Sequence, residues 1–315
     1  MTDFLSWLSP SHYGRLPFAD WVQWLVRDWL VPNFRPAFQA LQWPVDQVLR
    51  GFEAALLAIP FPLFTLVLLL LAWRYAGRGV ALFTLAAMLF IDAIGVWAET
   101  MTTLAMILTA VLFCALAGVP AGIWAARSDR FAAVIRPVLD IMQTIPPFVY
   151  LVPIVMLFGV GMVPGVIATI IFALPPIIRL TNLGIRQVSE ELVEAAIAFG
   201  ATQRQILFDV QIPLALRTIM AGLNQTLMLA LSMAVIGALI GAGGLGLTVY
   251  TGLGRLDVGR AAVGGVGIVL IAIVLDRITQ GLGDPSLRDG RWTFSGSARR
   301  LLGLTPPRGA LVSNP

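Results

Sequence analysis

Long apolar runs dominate this sequence and limit what it can fold into. Each run has about 20 residues, the length that an α-helix needs to cross the hydrocarbon of a bilayer. Only 12% of the residues are charged, against about 25% in soluble domains. We therefore predict an all-α polytopic membrane protein with about seven transmembrane helices. The predicted spans lie near residues 55–73, 79–98, 101–125, 138–159, 163–180, 217–240 and 260–280.

A polar island interrupts the apolar runs at residues 184–213, GIRQVSEELVEAAIAFGATQRQILFDVQIP. Ser189 is a good N-cap for a short helix. Glu190 and Glu191 place negative charge in the first turn of that helix, where the helix dipole favours it. One apolar face then recurs at helical spacing. It is formed by Leu192, Ala195, Ala196 and Phe199.

The island breaks once and then restarts. Gly200 is expected to stop the first helix, because glycine tolerates the left-handed conformation. Thr202 and Gln205 have the spacing of a capping box, which starts a second helix, and Pro213 is expected to end it. Two short helices between membrane spans form a surface suited to contact with another protein.

The island also carries a motif with fixed internal spacing. Glu194-Ala195-Ala196 is followed by three residues, Gly200, nine residues and then Val210-Gln211-Ile212-Pro213. This pattern resembles the EAA motif of permease subunits in binding-protein-dependent ABC importers, although the family usually has Leu at the position of Ile212. Residues from about 130 to 280 are similar to ProW-type permeases of glycine betaine/L-proline importers. The similar segments are RPVLDIMQTIPPFVYLVPIVMLFG (136–159), FALPPIIRLTNLGI (172–185), NQTLMLALSMAVIGALIGAGGLG (224–246) and GRLDVG (254–259).

The resemblance implies an ABC importer permease (type I) fold that moves osmoprotectants such as glycine betaine or proline betaine by alternating access. It implies a second copy of the permease in a homodimer, two cytoplasmic ABC ATPase subunits and an external solute-binding protein. The chain would also contact membrane lipid, and no nucleic acid partner is expected. This chain would bind no cofactor, since ATP and Mg would be bound by the partner ATPase. The implied ATPase-coupling residues are Glu190, Glu191, Glu194, Ala195, Ala196, Phe199, Gly200, Arg204 and Pro213.

Composition excludes several kinds of active site. All 21 basic residues are arginine, so the chain lacks the lysine of a nucleotide-binding P-loop or of a Schiff base. The single histidine, His12, and the single cysteine, Cys114, cannot form a zinc site, a disulfide or a histidine-based triad within one chain. We therefore expect a transporter subunit with no catalytic or metal site of its own.

The distribution of arginine predicts the topology. With the N-terminus outside, 15 of the arginines fall on the cytoplasmic side and six outside, as the positive-inside rule favours. This arrangement places the polar island and the C-terminus in the cytoplasm. The expected location is the bacterial inner (cytoplasmic) membrane.

The chain divides into four predicted regions. Residues 1–54 form an extracytoplasmic or interfacial segment, in which Asp20 to Val31 either lies on the membrane surface through its tryptophans or packs on the protein itself. Residues 55–98 form two peripheral transmembrane helices. The permease core comprises residues 99–280, with the glycine cluster at 241–246 as a turn that leads into a short re-entrant or surface segment. Residues 281–315 form a cytoplasmic tail, flexible in part.

Prolines mark two of the spans. Pro146, Pro147 and Pro153 are expected to break or kink the fourth span, and Pro175-Pro176 the fifth. Broken helices are tolerated at membrane depth only where protein or a cavity surrounds them. We therefore expect both spans to be internal.

Polar and aromatic side chains near these breaks and on the sixth span are candidates for the translocation pathway, with ordinary helix packing as the alternative. They are Gln143, Thr144, Phe148, Tyr150, Asn224, Gln225 and Met228.

Three acidic residues lie near the predicted spans and are functional candidates for that reason. Glu99 is expected in an outer loop, and Asp140 near the inner surface beside Arg136. Asp92 has no evident role.

A secondary transporter driven by an ion gradient is the main alternative function, but it would need inverted repeats and buried ionisable sites. A membrane enzyme and a mechanosensitive or structural membrane protein are further alternatives.

Overall fold

The computed structural model describes residues 17–283, and these residues form helices joined by short turns, with no strand among them. His12 and most of the predicted tail at 281–315 lie outside the described residues. We number the helices in chain order. They are α1 (Phe18–Ala58), α2 (Phe61–Ala76), α3 (Arg78–Ala93), α4 (Trp97–Arg127), α5 (Asp129–Thr144), α6 (Pro147–Phe158), α7 (Met162–Arg186), α8 (Glu190–Ala198), α9 (Gln203–Ile240), α10 (Gly244–Gly254) and α11 (Val258–Gly283).

Within residues 17–283, four helices are long and apolar enough to cross a membrane unaided: α4, α7, α9 and α11. Two bent pairs raise the number of candidate spans to six: α1 with α2, at 104°, and α5 with α6, at 98°. Seven spans were predicted. The difference lies at residues 79–98, where α3 has only 16 residues. It forms a hairpin with α2 around Gly77, whose φ is 102°.

Helix α7 is the centre of the core and packs most extensively on α9 and α4. Small residues allow the helices to approach closely, as is usual between membrane helices. A Cβ at Gly122 of α4 would lie 2.8 Å from the carbonyl oxygen of Ile178. A Cβ at Gly222 of α9 would lie 3.0 Å from Cβ of Leu180. Both contacts would have to open for any larger side chain.

The two proline-containing spans behave differently. Ile145 and Pro146 separate α5 from α6, as predicted. In contrast, α7 continues as one helix through Pro175 and Pro176, and α6 continues through Pro153, so the chain does not break at these three prolines. Pro175 and Pro176 are buried, and the packed neighbours of α7 hold the helix together where its hydrogen bonds are missing.

Burial also distinguishes these two spans. Helix α7 is internal, as expected. Helix α6 is internal on one side only, where Leu151, Ile154 and Leu157 are buried, while Phe148 and Val152 on its other side are exposed. The second side of α6 is therefore open to a partner.

The glycine cluster forms the predicted turn and short segment. Gly241 and Gly244 have φ of 84° and 73°, and the short helix α10 follows. Leu245 at the start of α10 donates its backbone N–H to Oγ1 of Thr103 on α4, at 2.8 Å. This bond fixes the turn against the first turns of α4.

Helix α1 is much longer than the predicted segment Asp20 to Val31. Its C-terminal part packs on the core, since Val45 and Leu49 are buried against α4 and α7. Thr102 of α4 also donates a hydrogen bond to Oε1 of Glu53, at 3.1 Å. The N-terminal part keeps Trp21 and Trp24 exposed. The packed residues lie beyond Asp20 to Val31, a segment with no buried residue, so its place on the membrane surface stays a prediction.

Candidate coupling site and membrane pathway

The polar island folds into the short helix α8 and the first turns of α9. Ser189 occupies the N-cap position of α8, but its side chain makes no capping hydrogen bond, so that part of the prediction is wrong. Glu190 and Glu191 lie in the first turn as expected. They supply the negative charge that favours a helix start there.

Gly200 closes α8 as predicted, with φ of +82°. The Gly200 N–H donates to the carbonyl of Ile197 at 2.8 Å, and the Ala201 N–H donates to the carbonyl of Ala196 at 3.0 Å. This pair of bonds is a Schellman motif, which satisfies carbonyls at the end of a helix. The chain therefore turns sharply after α8 without loose backbone groups.

The capping box at Thr202 is confirmed. Oε1 of Gln205 accepts a hydrogen bond from the Thr202 N–H at 2.8 Å, and the Gln205 N–H donates to Oγ1 of Thr202 at 3.4 Å. Pro213 does not end the helix that starts here, since α9 runs from Gln203 to Ile240. A π-helical stretch over Ile206–Gln211 precedes this proline, so its missing N–H falls where the hydrogen-bond register changes.

No residue of α8 is buried. Of its predicted apolar face, only Ala196 is half-buried. Leu192 is 48% exposed and Phe199 is 93% exposed. The face is present in the sequence but is largely uncovered by the other residues of 17–283. Arg204, at the start of α9, is exposed beside it.

A cleft of about 510 Å³ lies behind α8. Its lining includes both signs of charge, with Arg127 and Arg186 opposite Glu190 and Glu194. Arg186 Nη2 donates to Oδ1 of Asp129 at 2.7 Å and to the carbonyl oxygen of Ala125 at 2.9 Å. The last turn of α7 is thereby joined to the end of α4 and the start of α5, next to the island.

The seven pathway candidates separate into two groups. The first group, Gln143, Thr144, Phe148 and Tyr150, lies at the bend between α5 and α6. Gln143 accepts a hydrogen bond from Nη1 of Arg179 at 2.7 Å. Thr144 bonds the carbonyl of Ile141 at 3.4 Å, Phe148 is exposed, and the hydroxyl of Tyr150 is buried without a hydrogen-bond partner in the described residues.

The second group, Asn224, Gln225 and Met228, lines a cleft of about 560 Å³ between α9 and α11. Asn224 Nδ2 donates to Oδ1 of Asp276 at 2.8 Å, and Gln280 Nε2 donates to the same oxygen at 2.7 Å. Thr279 donates from its hydroxyl to Oδ1 of Asn224. The polar residues of α11 in this network were missed in the sequence, because Asp276 falls at the end of the last apolar run.

The other acidic candidates are placed as follows. Asp92 is exposed in the last turn of α3. Glu99 is half-buried in the first turn of α4, and its carbonyl accepts a hydrogen bond from Thr103 at 2.7 Å. Asp140 bonds to Arg179 across two helices, and not to Arg136 as its position in the sequence indicated. Arg179 was also missed, because it stands alone within an apolar run.

Three comparisons relate this chain to known proteins. The family described as binding-protein-dependent transport system inner membrane component matches residues 118–288. The glycine betaine/proline betaine transport system permease protein ProW of Escherichia coli (strain K12) is 57% identical, over 92% of this chain and 82% of that protein. The glycine betaine transport system permease protein OpuAB of Bacillus subtilis (strain 168) is 47% identical, over 85% of this chain and 95% of that protein. The structure of the MetNI methionine ABC transporter in inward-facing conformations contains a chain that is 26% identical, with a TM-score of 0.51 over 64% of this chain and 96% of that one.

Proposed function

This chain belongs to the family of binding-protein-dependent transport system inner membrane components, and on that premise we propose that glycine betaine, proline betaine or a similar osmoprotectant crosses the inner membrane through it. The chain is a multi-pass permease and has no enzymatic role of its own. The substrate class is supported by its relatives, a glycine betaine/proline betaine permease and a glycine betaine permease. Membership of this family also disfavours the alternative function, a secondary transporter driven by an ion gradient.

The observation that carries this proposal is the exposed island at α8. Local hydrogen bonds fix the turn between α8 and α9, while the apolar side chains of the island remain exposed. An apolar helix face with flanking charge fits a groove on a partner protein. We infer that two cytoplasmic ABC ATPase subunits, which bind ATP and Mg, receive this helix from two copies of the permease. The contact involves Glu190, Glu191, Glu194, Ala195, Ala196, Phe199, Gly200 and Arg204, with Pro213 placed behind them in α9.

Alternating access would follow from the connections of the island. Helix α8 is joined on one side to α7, the centre of the core, and on the other side to α9. Arg186 adds α4 and α5 to this group through hydrogen bonds. A displacement of α8 would therefore reach four helices of the core. An external solute-binding protein would deliver substrate to the opposite end of the molecule.

Sidedness is proposed from the grouping of helix ends. The ends that carry Arg127 and Arg186 lie together around α8. The turn between α2 and α3, at Tyr75, lies against Gly281 near the end of α11, so these arginine-rich ends also share one side. With that side in the cytoplasm, the N-terminus lies outside and the C-terminus inside.

A homodimer is supported by the open side of α5 and α6. Val138 and Ile141 on α5 and Phe148 and Val152 on α6 are all exposed in the single chain. They lie on both sides of the bend that also holds the first group of pathway candidates. A second copy of the chain would cover these side chains and enclose a pathway between the two subunits.

The remaining regions take supporting roles in this proposal. Helix α1 is bent by 104° from α2, so it lies close to the membrane plane when α2 crosses the membrane. Its exposed tryptophans suit the headgroup layer. Helices α2 and α3 are peripheral to the core of residues 99–280, and α11 ends on the side proposed to be cytoplasmic.

The proposal is tested with the permease, its ATPase and its binding protein reconstituted in lipid vesicles. We expect glycine betaine bound to the binding protein to stimulate ATP hydrolysis and uptake. Phe199→Ala should weaken recovery of the ATPase with the permease by roughly tenfold or more, as for a buried aromatic anchor. Leu256→Ala, which truncates a side chain 90% exposed elsewhere in the chain, is the matched control. Full recovery of the ATPase with Phe199→Ala would refute the coupling role of this surface.

A further inference from the structure

An ion pair joins α7 to α5 beside the bend of the fourth predicted span. Arg179 Nη2 lies 2.6 Å from Oδ1 of Asp140, and Arg179 Nη1 donates to Oε1 of Gln143 at 2.7 Å. Asp140 and Gln143 are three residues apart, so they occupy the same face of α5. One guanidinium thus holds a carboxylate and an amide immediately before the chain turns into α6.

This pair lies farther from the end of α7 than the ion pair of Arg186 does. Arg186, at the end of α7, bonds to the start of α5. Arg179 is seven residues earlier, or about 10 Å along the helix axis at 1.5 Å per residue. Both Arg179 and Asp140 fall within predicted spans. Charges within membrane helices are rare and commonly mark a pathway for solutes or ions.

The pair is also accessible. The side chain of Arg179 is 42% exposed and that of Asp140 is 66% exposed. Contact with lipid hydrocarbon would be costly for both charges, so we expect them to face a water-filled space. The adjacent α6 offers the exposed ring of Phe148, two residues after Pro146 at the bend. A cation can rest on such an aromatic face.

We propose that Arg179 and Asp140 form a charge-exchange pair that selects a zwitterion within the pathway. This inference rests on the proposed function and adds the residues that discriminate by charge. The substrate carboxylate would take the place of Asp140 on Arg179, while its quaternary ammonium group would be balanced by the released Asp140 carboxylate. No covalent bond changes, and every charge keeps a partner of opposite sign.

Charge balance explains why the pair would discriminate. A simple cation could pair with Asp140 only by leaving Arg179 without an anion nearby. A simple anion could pair with Arg179 only by leaving Asp140 without a cation nearby. A bound ligand displaces water from the pair, and a charge that loses water without gaining a partner of opposite sign is costly, so both ligands are disfavoured relative to a net-neutral zwitterion. Rejection of the wrong ligand through an unpaired charge is a general route to specificity.

The test uses the permease assembled with its ATPase in lipid nanodiscs, without the binding protein, so that ligands meet the permease directly. Saturation-transfer NMR compares three probes: glycine betaine, choline and acetate. Wild type should bind glycine betaine in preference to the two others. Arg179→Gln and Asp140→Asn should each weaken glycine betaine binding roughly tenfold, because each removes one charge-assisted contact.

The variants should also change selectivity in opposite directions. Arg179→Gln leaves Asp140 available to a cation, so choline binding should rise. Asp140→Asn leaves Arg179 available to an anion, so acetate binding should rise. Asp46→Asn is the matched control, because it breaks a similar ion pair with Arg50, at 2.9 Å within α1. It should leave all three probes as in wild type.

Two results would overturn the inference. If both variants lose glycine betaine binding but neither gains choline or acetate, the pair only holds α5 against α7. If wild type and both variants bind the probes alike, or wild type binds no glycine betaine, the pair has no role in selection. Failure of the proposed function is a separate result, namely no stimulation of ATP hydrolysis when the wild-type complex receives the loaded binding protein.

Discussion

Arg186 Nη2 lies 2.7 Å from Oδ1 of Asp129. This ion pair joins the last turn of α7 to the first turn of α5, at the start of the polar island. The same nitrogen lies 2.9 Å from the carbonyl oxygen of Ala125, at the end of α4. One side chain thus connects three membrane helices at the point where the chain leaves the membrane for α8.

We predict that Arg186→Ala reduces substrate-stimulated ATP hydrolysis by about fivefold or more, the scale of a coupling free energy of 1 kcal/mol or above. Assembly with the ATPase should persist, because the side chain does not lie on the exposed face of α8. Asp129→Asn should have a smaller effect, since the Asp129 side chain is 89% exposed and exposed ion pairs contribute little. Equal activity of Arg186→Ala and wild type would contradict this role.

Gly200 allows a comparison of two substitutions at one backbone position. Nothing lies within 4 Å of a Cβ built there, and only the φ of +82° restricts the choice. A β-branched residue is strained in this conformation by roughly 1–2 kcal/mol, whereas asparagine adopts it more readily. Gly200→Val should therefore lower transport while membrane insertion remains, and Gly200→Asn should retain most transport. Uptake of substrate into vesicles is compared for the two variants. Indistinguishable uptake would count against the turn at Gly200 as a determinant of coupling.

Asn224 links α9 to α11 through Asp276. Asn224→Ala removes one of the two donors that Oδ1 of Asp276 has in the described residues. We expect a loss of about 1–3 kcal/mol in the free energy of unfolding, the cost of a partly buried polar group that loses its partner. The thermal midpoint of the purified protein in detergent should fall accordingly. Gln225→Ala, at the neighbouring position in the same cleft, should change that midpoint less. A midpoint for Asn224→Ala at or above that of wild type would rule out the network as a stabilising link.

Two adjacent glycines on α11 provide a matched pair. A Cβ at Gly264 would lie 2.9 Å from the backbone nitrogen of Val249 and 3.0 Å from the carbonyl oxygen of Leu245, whereas a Cβ at Gly265 meets nothing within 4 Å. Gly264→Ala should destabilise the protein by about 1–3 kcal/mol through overpacking. Gly265→Ala should be neutral or stabilising by up to about 1 kcal/mol, because alanine favours the helix. Thermal unfolding of the two variants checks the order, and the reverse order would show that α10 and α11 are not packed this closely.

Local features of the island were predictable because their bonds connect residues close in sequence. The Gly200 turn and the capping box at Thr202 each depend on bonds that span three to five residues. Ser189 shows the limit of such reasoning, since its position was predicted and its side-chain bond was not formed. Pro213 shows another limit, because a π-helical stretch before it removed the conflict that a proline normally causes.

The sequence by itself determined that this chain crosses a membrane as helices, where a polar island interrupts them, and which family it resembles, since these follow from run length, local capping and motif spacing. Only the tertiary structure decided that Arg179 pairs with Asp140, that Arg186 pairs with Asp129 and that Asn224 pairs with Asp276. Each of these pairs joins residues at least 39 positions apart. Their contact depends on the rotation and relative position of the helices that carry them, α7 with α5 and α9 with α11, which tertiary packing sets and local sequence does not.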